Sequence, residues 1–447
     1  MKGAACWLGG LEPGVVILVA PLLLFPTFHP AWTAAGLGAL LGVWLLRWAG
    51  TGRPGARTPL DGPLLLLAVM IPVAVWASPL PEVTLPKLTG LILGLAAYRA
   101  TVNAGRRRRG LRWATVFFLI LGLGMAVAGL VSSAWADKWP VLNPLLAHIP
   151  RLIQGLPGAE AGINTNELGG ALVLFLPVAL AACQVRGAGS RWADWGVRLA
   201  AFLTALFFGA MLLLTQSRSA WTGAAVGLAT MAWLRWRWGR RIIAALALAL
   251  VLGLWYAGPQ AALQILFRSV VLAGATPIVN TVSLEARVEL WSRALYALHD
   301  FAFTGCGLGA YRQLVHASYP LFLSTPDFDI GHAHNVFLQV ALDVGLPGLI
   351  AYLGLVGTAL WIAWRVAQAA AGRYRWLALG IVGSLVAFHV YGLTDTIALG
   401  AKPGVALWMV LALAAVLWDN EQTAARRPAR LWRSAAGTAG SSTPEGA

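Results

Sequence analysis

Twelve long apolar segments dominate this chain of 447 residues. They lie at about 13–29, 31–48, 62–79, 84–101, 111–133, 167–185, 197–215, 219–235, 241–258, 333–365, 376–394 and 402–418. A helix needs about 20 apolar residues to cross the hydrocarbon core of a bilayer. Charged residues make up only 11% of the chain, too few to cover a soluble protein of this length. We therefore predict an all-α integral membrane protein with about twelve transmembrane helices.

The basic residues predict how these helices are oriented. If the N-terminus lies in the cytoplasm, 24 of the 33 lysines and arginines fall on the inner side and nine on the outer side. Cytoplasmic loops of membrane proteins carry such an excess. The net charge of +16 therefore indicates membrane topology and not nucleic-acid binding. We expect the basic residues to contact membrane lipids. The outer nine are Lys87, Lys138, Arg151, Arg218, Arg268, Arg287, Arg293, Arg312 and Lys402.

The outer side also holds the chemically reactive side chains. All seven histidines fall there, and it has two long loops, at about 134–166 and 259–332. Long loops in compact proteins are usually functional. We expect one membrane domain over residues 1–420, which includes the 259–332 loop, and a disordered cytoplasmic tail over 421–447, which is rich in Gly, Ser, Thr and Pro.

Two arginines on the outer side are candidates for binding an anion. Arg218 lies in the short connection Thr215–Trp221 between two apolar segments. Arg287 lies in a predicted outer helix, at the border of an apolar stripe formed by Leu284, Val288, Trp291, Leu295 and Leu298. We expect this stripe to face the packed or membrane side and Arg293, opposite it, to be solvated. A guanidinium group can bind two oxygens of one phosphate at once. The alternative is that each arginine only buries its aliphatic stem at the membrane interface.

A glycine-rich stretch follows the predicted outer helix. Residues 304–311 read Thr-Gly-Cys-Gly-Leu-Gly-Ala-Tyr, which contains Gly-x-Gly-x-Gly but does not follow a strand. A nucleotide-binding motif requires that strand. We interpret the stretch as a tight loop that lets the backbone approach another segment closely.

The segment 327–335 contains Asp327, Asp329, His332, His334 and Asn335 at the start of the tenth apolar segment. Three interpretations arise. The carboxylates and imidazoles could bind a metal, the histidines could cap the helix, or they could transfer a proton and orient a substrate. We favour the third and expect no metal and no cofactor, because Gly331 and the adjoining helix disfavour a shared metal geometry.

Taken in order, these motifs resemble the O-antigen ligase and polymerase family of bacterial envelope glycosyltransferases. The resemblance implies a periplasmic active site in the bacterial inner membrane and a glycan donor linked to polyprenyl (undecaprenyl) diphosphate. It implies Arg218 and Arg287 at the donor diphosphate and His334 beside the reacting hydroxyl. The matching pieces are residues 162–168, 216–220, Glu285-Ala286-Arg287 with Trp291, 300–309, His334-Asn335 and 345–348.

The remaining site residues follow from the same pieces. His332 and Asn335 are candidates for orienting a substrate, and Asn166 and Ser217 lie inside matching motifs. Two arginines could stabilise the charge that develops on a departing diphosphate, so an inverting displacement needs no metal. The expected catalytic residues are His334, Arg218 and Arg287.

Several functions remain open at this stage. The leading one is a ligase that moves a finished polysaccharide onto a lipid-linked acceptor such as lipid A-core. A repeat-unit polymerase and a protein O-oligosaccharyltransferase are alternatives in the same family. A transporter is the alternative from another class, but it should carry its ionisable groups near the bilayer midplane rather than at the outer face.

Overall fold

A computed structural model describes residues 2–53, 55–106, 109–133, 135, 140–155, 162–184, 191–267, 284–322, 331–368 and 374–439. These residues form helices and no named strands. The helices are α1 (Lys2–Leu24), α2 (Pro30–Thr51), α3 (Asp61–Ala77), α4 (Pro81–Gly105), α5 (Gly110–Ser132), α6 (Asn143–Leu146), α7 (Thr165–Ala182), α8 (Arg191–Leu214), α9 (Arg218–Arg235), α10 (Arg237–Phe267), α11 (Leu284–Asp300), α12 (Tyr311–Ser318), α13 (Val336–Gln368), α14 (Arg375–Tyr391) and α15 (Val405–Ala439).

Each predicted apolar segment coincides with one of these helices. Among the described residues, six helices are long and apolar enough to cross a membrane, namely α2, α5, α7, α8, α13 and the stretch Lys402–Thr423 that contains most of α15. Three shorter apolar helices, Leu11–Leu24, Asp61–Ala77 and Arg375–Tyr391, accompany them. The chain is therefore a helical membrane protein, and the full count of twelve spans stays a prediction.

Helices α7 and α14 lie at the centre of the fold. Most of the spanning part of α7 is buried inside the protein, whereas the corresponding part of α8 is mostly exposed. Glycines bring α9 against α14, since a Cβ atom at Gly223 would strike the carbonyl oxygen of Ala387 and one at Gly227 that of Gly383. Small residues allow this close approach of helices in membranes. The packing fixes the start of α9, and with it Arg218, against the end of α14.

The glycine loop before α12 packs closely against α13, as the sequence predicts. Gly305, Gly307 and Gly309 all have positive φ, and the Cys306 amide donates to the Leu342 carbonyl at 2.7 Å. Gly345 interrupts α13 at φ 76°, where a side chain would strike the carbonyl of Phe303. Both segments need glycine, because the left-handed region is open to it without a steric penalty.

The predicted outer helix exists as α11, and small residues rather than the whole apolar stripe form most of its buried face. Its buried residues are Ala286, Glu289, Leu290, Ala294 and Ala297, while Val288 and Leu295 are 48% and 57% exposed. Small residues form the packed face because α11 lies close to α12 and α13, and large side chains would not fit there.

The C-terminal prediction also needs correction. Residues from 421 to Ala439 continue α15 as a helix, where the sequence analysis expects a disordered tail. Seven of the 13 residues at 421–433 are alanine or arginine, which have high intrinsic helix propensity. The remaining residues, 440–447, lie outside the described part of the chain.

The predicted orientation can be tested by labelling single cysteines in intact cells. We expect a cysteine at Ser318, in α12, to react with a membrane-impermeant maleimide, and one at Ser441 to react only after permeabilisation. The reason is the 24-to-9 partition of basic residues between the two sides. The parent protein, with Cys6, Cys183 and Cys306, is the control. Labelling of Ser441→Cys with shielding of Ser318→Cys would reverse the orientation.

Candidate functional site

A cavity of about 970 Å³ joins a polar chamber to an apolar groove. The chamber is lined by Lys87, Asn164, Asn166, Glu167, Gln216, Ser217, Arg218, Ser219, Arg287, Arg312, Gly331, His332, His334 and Lys402. The groove is lined by side chains of α1, α4 and α5, among them Ile17, Leu24, Ala97, Phe117 and Leu121. Six of the seven predicted site residues therefore line one cavity, and Asn335 is the exception.

Asn335 has a structural task at the edge of the chamber. Its Oδ1 accepts the amides of Phe337 at 3.0 Å and Leu338 at 3.1 Å, so Asn335, not a histidine, caps α13. Its Nδ2 donates to the carbonyl of Leu393 at 3.1 Å. These bonds tie the start of α13 to the segment after α14. The helix-capping interpretation of the two histidines is therefore wrong.

The segment after α14 brings Asp395 between His332 and His334. His332 Nε2 and His334 Nδ1 both lie 3.5 Å from Asp395 Oδ1. The centroids of the two imidazole rings are 4.3 Å apart, and the ring planes are inclined at 63°. The His-x-His pair thus converges on one carboxylate, which contradicts the expectation that Gly331 and the adjoining helix prevent a shared geometry. Asp395 is buried, with 1% of its surface exposed.

Hydrogen bonds and burial fix the protonation of this cluster. The Nδ1 of His332 accepts the His334 amide at 3.2 Å, so its proton sits on Nε2, facing Asp395. Burial, with the His334 charge as a smaller cause, lowers the pKa of His332 to about 3, and the ring is neutral at physiological pH. Burial alone would raise the pKa of Asp395, but a hydrogen bond from His334 and nearby positive charge, including that of Arg287, outweigh it. The pKa of Asp395 is therefore lowered, and it stays a carboxylate.

His334 is held by its backbone as well as by Asp395. It has φ 47°, a left-handed conformation that non-glycine residues rarely adopt. Its carbonyl accepts the indole N–H of Trp291 in α11 at 3.3 Å. Such a conformation persists only where neighbouring structure enforces it, and it is concentrated at functional sites. The arrangement turns the His334 ring towards both Asp395 and the chamber.

The two predicted anion-binding arginines approach the chamber from different helices. Arg218 is the first residue of α9, whose start is capped by Ser217 Oγ accepting the Ala220 amide at 3.4 Å. Arg287 comes from α11, and its buried Nε has no hydrogen-bond partner among the described residues. Burial lowers the pKa of Arg287. The negative charge of Asp395 raises this pKa, and the positive charge of Arg218 lowers it further. A guanidinium group nonetheless stays protonated in proteins, so the chamber holds two cations beside the histidine cluster.

A comparison with known proteins finds a match in the part of the chain that contributes most of these chamber residues. Residues 200–353 match a family model described as O-antigen ligase. This stretch, about a third of the chain, is therefore similar to the O-antigen ligase family. No curated protein sequence matches the chain. The matched stretch contains Arg218, Arg287, His332 and His334, so all the motifs that suggested the family except residues 162–168 lie inside the region that the family model recognises. This family is associated with enzymes of the ligase or glycosyltransferase type.

Sequence reasoning missed several residues of this chamber. Asp395, Glu167, Lys87, Arg312 and Lys402 either line it or contact its histidines. Asp395 lies 61 positions after His334, outside the matched stretch, so no local motif connects the two. One signal was available: a carboxylate directly after an apolar segment that has no basic partner nearby in sequence usually marks function.

Three of the described residues could also hold a metal ion. The ligand atoms of His332, His334 and Asp395 lie within 4.8 Å of one another. Asp327 and Asp329, the carboxylates considered in the sequence analysis, lie outside the described residues. A divalent ion here would compete with the hydrogen bond from the His334 amide to His332 Nδ1. Nδ1 accepts this bond only while the ring proton is on Nε2, and Nε2 is the nitrogen that faces Asp395.

We predict that this site works without a metal. The charges of Arg218 and Arg287 can meet those of a diphosphate, so transfer should survive treatment with EDTA. Purified protein assayed with and without the chelator tests this. Loss of activity that Mg²⁺ or Zn²⁺ restores would contradict the prediction and would make His332, His334 and Asp395 metal ligands.

Proposed function

We propose that this protein transfers a glycan from a polyprenyl diphosphate carrier to an acceptor hydroxyl, as an O-antigen ligase. One observation carries the proposal: a single cavity joins a lipid-sized apolar groove to paired arginines and a His–Asp dyad. A soluble sugar nucleotide would need no such groove. A transporter would need no such dyad, and its ionisable groups would lie near the midplane.

The groove suits a prenyl chain. It runs along α1, α4 and α5, and small residues such as Ala97, Ala100 and Ala128 alternate there with larger apolar ones such as Leu93 and Phe117. An isoprenoid chain buries much apolar area and carries no hydrogen-bonding groups, so a wall without polar atoms is favourable. The diphosphate would then lie in the chamber, where Arg218 and Arg287 are placed.

The chamber supports a direct displacement at the anomeric carbon. The bond from this carbon to the diphosphate oxygen breaks while a bond to the acceptor oxygen forms. The diphosphate leaves with the electron pair, and Arg218 and Arg287 stabilise its growing charge. The acceptor hydroxyl loses its proton to Nε2 of His334, whose Nδ1 faces Asp395. The product has inverted anomeric configuration.

Each chamber group has a defined part in this mechanism. Asp395 positions His334 and stabilises its protonated form, as a buried carboxylate does for a catalytic imidazole. The 3.5 Å contact between these two residues lies at the outer limit of a hydrogen bond. Such contacts tighten when substrate binds. Neutral His332, whose Nε2 faces Asp395 at 3.5 Å, keeps the carboxylate in place without adding charge, and Asn166 and Ser217 line the chamber.

The chamber belongs on the periplasmic side of the inner membrane in this proposal. The excess of basic residues on the opposite side supports that orientation, with twelve spans and both termini in the cytoplasm. The energy for transfer then comes from the sugar–diphosphate bond, because no nucleotide is available there. Lipid A-core is the acceptor that a ligase would use.

A reconstituted transfer assay tests the proposal and separates its branches. Purified protein in liposomes receives glycan-linked undecaprenyl diphosphate together with lipid A-core, and the products are sized. We expect intact glycan on lipid A-core. Lengthening of the carrier-linked glycan without acceptor use would make the protein a polymerase, and modification of a protein hydroxyl would make it an O-oligosaccharyltransferase. Donor movement across the bilayer without bond cleavage would support a transporter.

A further inference from the structure

Two buried polar side chains of α13 take no part in the proposed mechanism. Gln339 and Asp343 are each 1% exposed, and they follow Asn335 by four and eight residues, so all three share one face of the helix. Ionisable residues inside a membrane-spanning helix cost free energy and usually have a function. The Oδ2 atom of Asp343 adds to this cost, because it is buried without a hydrogen-bond partner among the described residues. Packing alone would favour an apolar residue here.

Hydrogen bonds connect these side chains to the backbone of the histidine turn, residues 332–334. Asp343 Oδ1 accepts the Nε2 group of Gln339 at 2.8 Å and the Gly309 amide at 2.9 Å. Gln339 Oε1 in turn accepts the amide of Ala333, the fully buried middle residue of the turn, at 2.9 Å. The bonds therefore run from the glycine loop before α12, through two side chains of α13, to the histidine turn.

The carboxylate of Asp343 determines which way the Gln339 amide points. A carboxylate oxygen only accepts hydrogen bonds, so the part of the Gln339 amide that faces it must be the NH2 group. The carbonyl oxygen of the same amide then faces the Ala333 N–H group, which needs an acceptor. An amide turned the other way would bring two oxygens together at Asp343 and two donors together at Ala333. Asp343 thus selects the orientation of Gln339 that supports the turn.

The histidine turn needs this support because its backbone is strained. His334 has φ 47°, and such a left-handed conformation persists only where neighbouring structure enforces it. Trp291 donates to the His334 carbonyl from α11 at 3.3 Å. The bond between Gln339 and the Ala333 amide holds the turn from the helix that the turn leads into. Without this bond the buried Ala333 amide would lack its acceptor, and the turn would shift to find another.

We propose that Gln339, oriented by Asp343, is a positioning residue that holds the His334 ring in the geometry required for proton transfer. The inference rests on the proposed function, in which His334 is the base. Neither Gln339 nor Asp343 lines the cavity, so both act through the histidine turn and not on the substrate.

Substitution of Gln339 tests this role. Gln339→Met keeps the approximate size of the side chain and removes the acceptor for the Ala333 amide. We expect this change in the full-length protein to lower kcat for glycan transfer about 10- to 100-fold, because a small displacement of a catalytic group costs this much. Donor affinity, measured without acceptor, should change little, because the base acts during reaction.

Gln184→Met is the matched control for this substitution. Gln184 Oε1 also accepts a hydrogen bond, from Arg235 Nε at 3.2 Å, but it follows the end of α7 that lies away from the chamber. The same change of glutamine to methionine there should leave kcat within about twofold of wild type.

Two substitutions of Asp343 separate its hydrogen bonds from its charge. Asp343→Asn keeps Oδ1 as an acceptor and removes the charge, so kcat should stay within about twofold of wild type. Asp343→Leu removes the acceptor and should lower kcat as Gln339→Met does. The alternative is that Asp343 acts by its charge on Lys87, whose Cγ would lie 3.2 Å from a Cβ atom at Gly309. Equal losses of kcat in both Asp343 variants would support this alternative and contradict the inference.

The outcomes separate the inference from the proposed function. Unchanged kcat in Gln339→Met, with transfer by the wild-type protein, contradicts the inference alone. A loss of donor affinity as large as the loss of kcat would show that Gln339 supports the whole chamber and not the base, which also contradicts it. If Gln339→Met fails to fold, the comparison of Asp343→Asn with Asp343→Leu decides. If the wild-type protein transfers no glycan, the proposed function itself fails.

Discussion

Replacing His334 with alanine is expected to abolish glycan transfer while donor binding is retained. The His334 ring is the group placed to accept the acceptor proton, since Asp395 faces its Nδ1. General-base catalysis contributes about 10²–10⁴-fold, so kcat should fall by at least that range. A base acts during reaction, so the donor KM should change little. Single-turnover transfer and donor binding, measured on the same preparation, check the two parts.

His332→Ala is the matched control for this prediction. His332 contacts the same carboxylate oxygen, but the Nδ1 nitrogen of its neutral ring is occupied by the His334 amide. Its loss should loosen the cluster and lower kcat less than His334→Ala does. Equal losses in both variants, or a loss of donor affinity in His334→Ala, would show that the histidines hold the structure together rather than transfer a proton.

Arg218→Lys and Arg287→Lys are each expected to lose most activity although the charge is kept. A lysine cannot offer the paired N–H groups that a guanidinium group presents to phosphate oxygens. Each substitution should cost about 2–4 kcal/mol in the transition state, the usual effect of removing one preorganised donor. The values of kcat/KM for the donor give this free energy directly.

Arg293→Lys tests whether such losses are specific. This residue belongs to the same outer helix as Arg287, but its Nε donates to Pro320 and its guanidinium group lies over the rings of Tyr296 and Phe322. Its substitution should leave kcat/KM within about twofold. A comparable loss at Arg218, Arg287 and Arg293 would mean that all three changes damage folding, and the arginines would lose their proposed role.

Much of the fold could be predicted because hydropathy and charge act locally along the chain. Each predicted apolar segment is a helix, and the glycines of 304–311 adopt the positive φ angles that a tight loop requires. The buried face of α11 could not be predicted in this way. Its large apolar residues Val288 and Leu295 point outward, because close packing selected alanines at Ala294 and Ala297 instead. Size, and not hydrophobicity alone, decided that face.

The candidate site could likewise be predicted only where its residues stand in short sequence motifs. Arg218, Arg287, His332 and His334 stand in short motifs, and all of them line one cavity. Asp395 could not be found from spacing, because it reaches His334 only through the bonds that join α13 to the end of α14. Asn335 stood in a motif, yet its carboxamide bonds backbone groups, so its substrate-orienting role stays a prediction.

The release of prenyl diphosphate tests the central claim most directly. Wild-type protein in liposomes, given glycan-linked undecaprenyl diphosphate and lipid A-core without nucleotide, should release one undecaprenyl diphosphate for each glycan that appears on the acceptor. The His334→Ala protein should bind the donor and release none. Release without glycan on any acceptor, or transfer at the wild-type rate by His334→Ala, would contradict the mechanism built on this chamber.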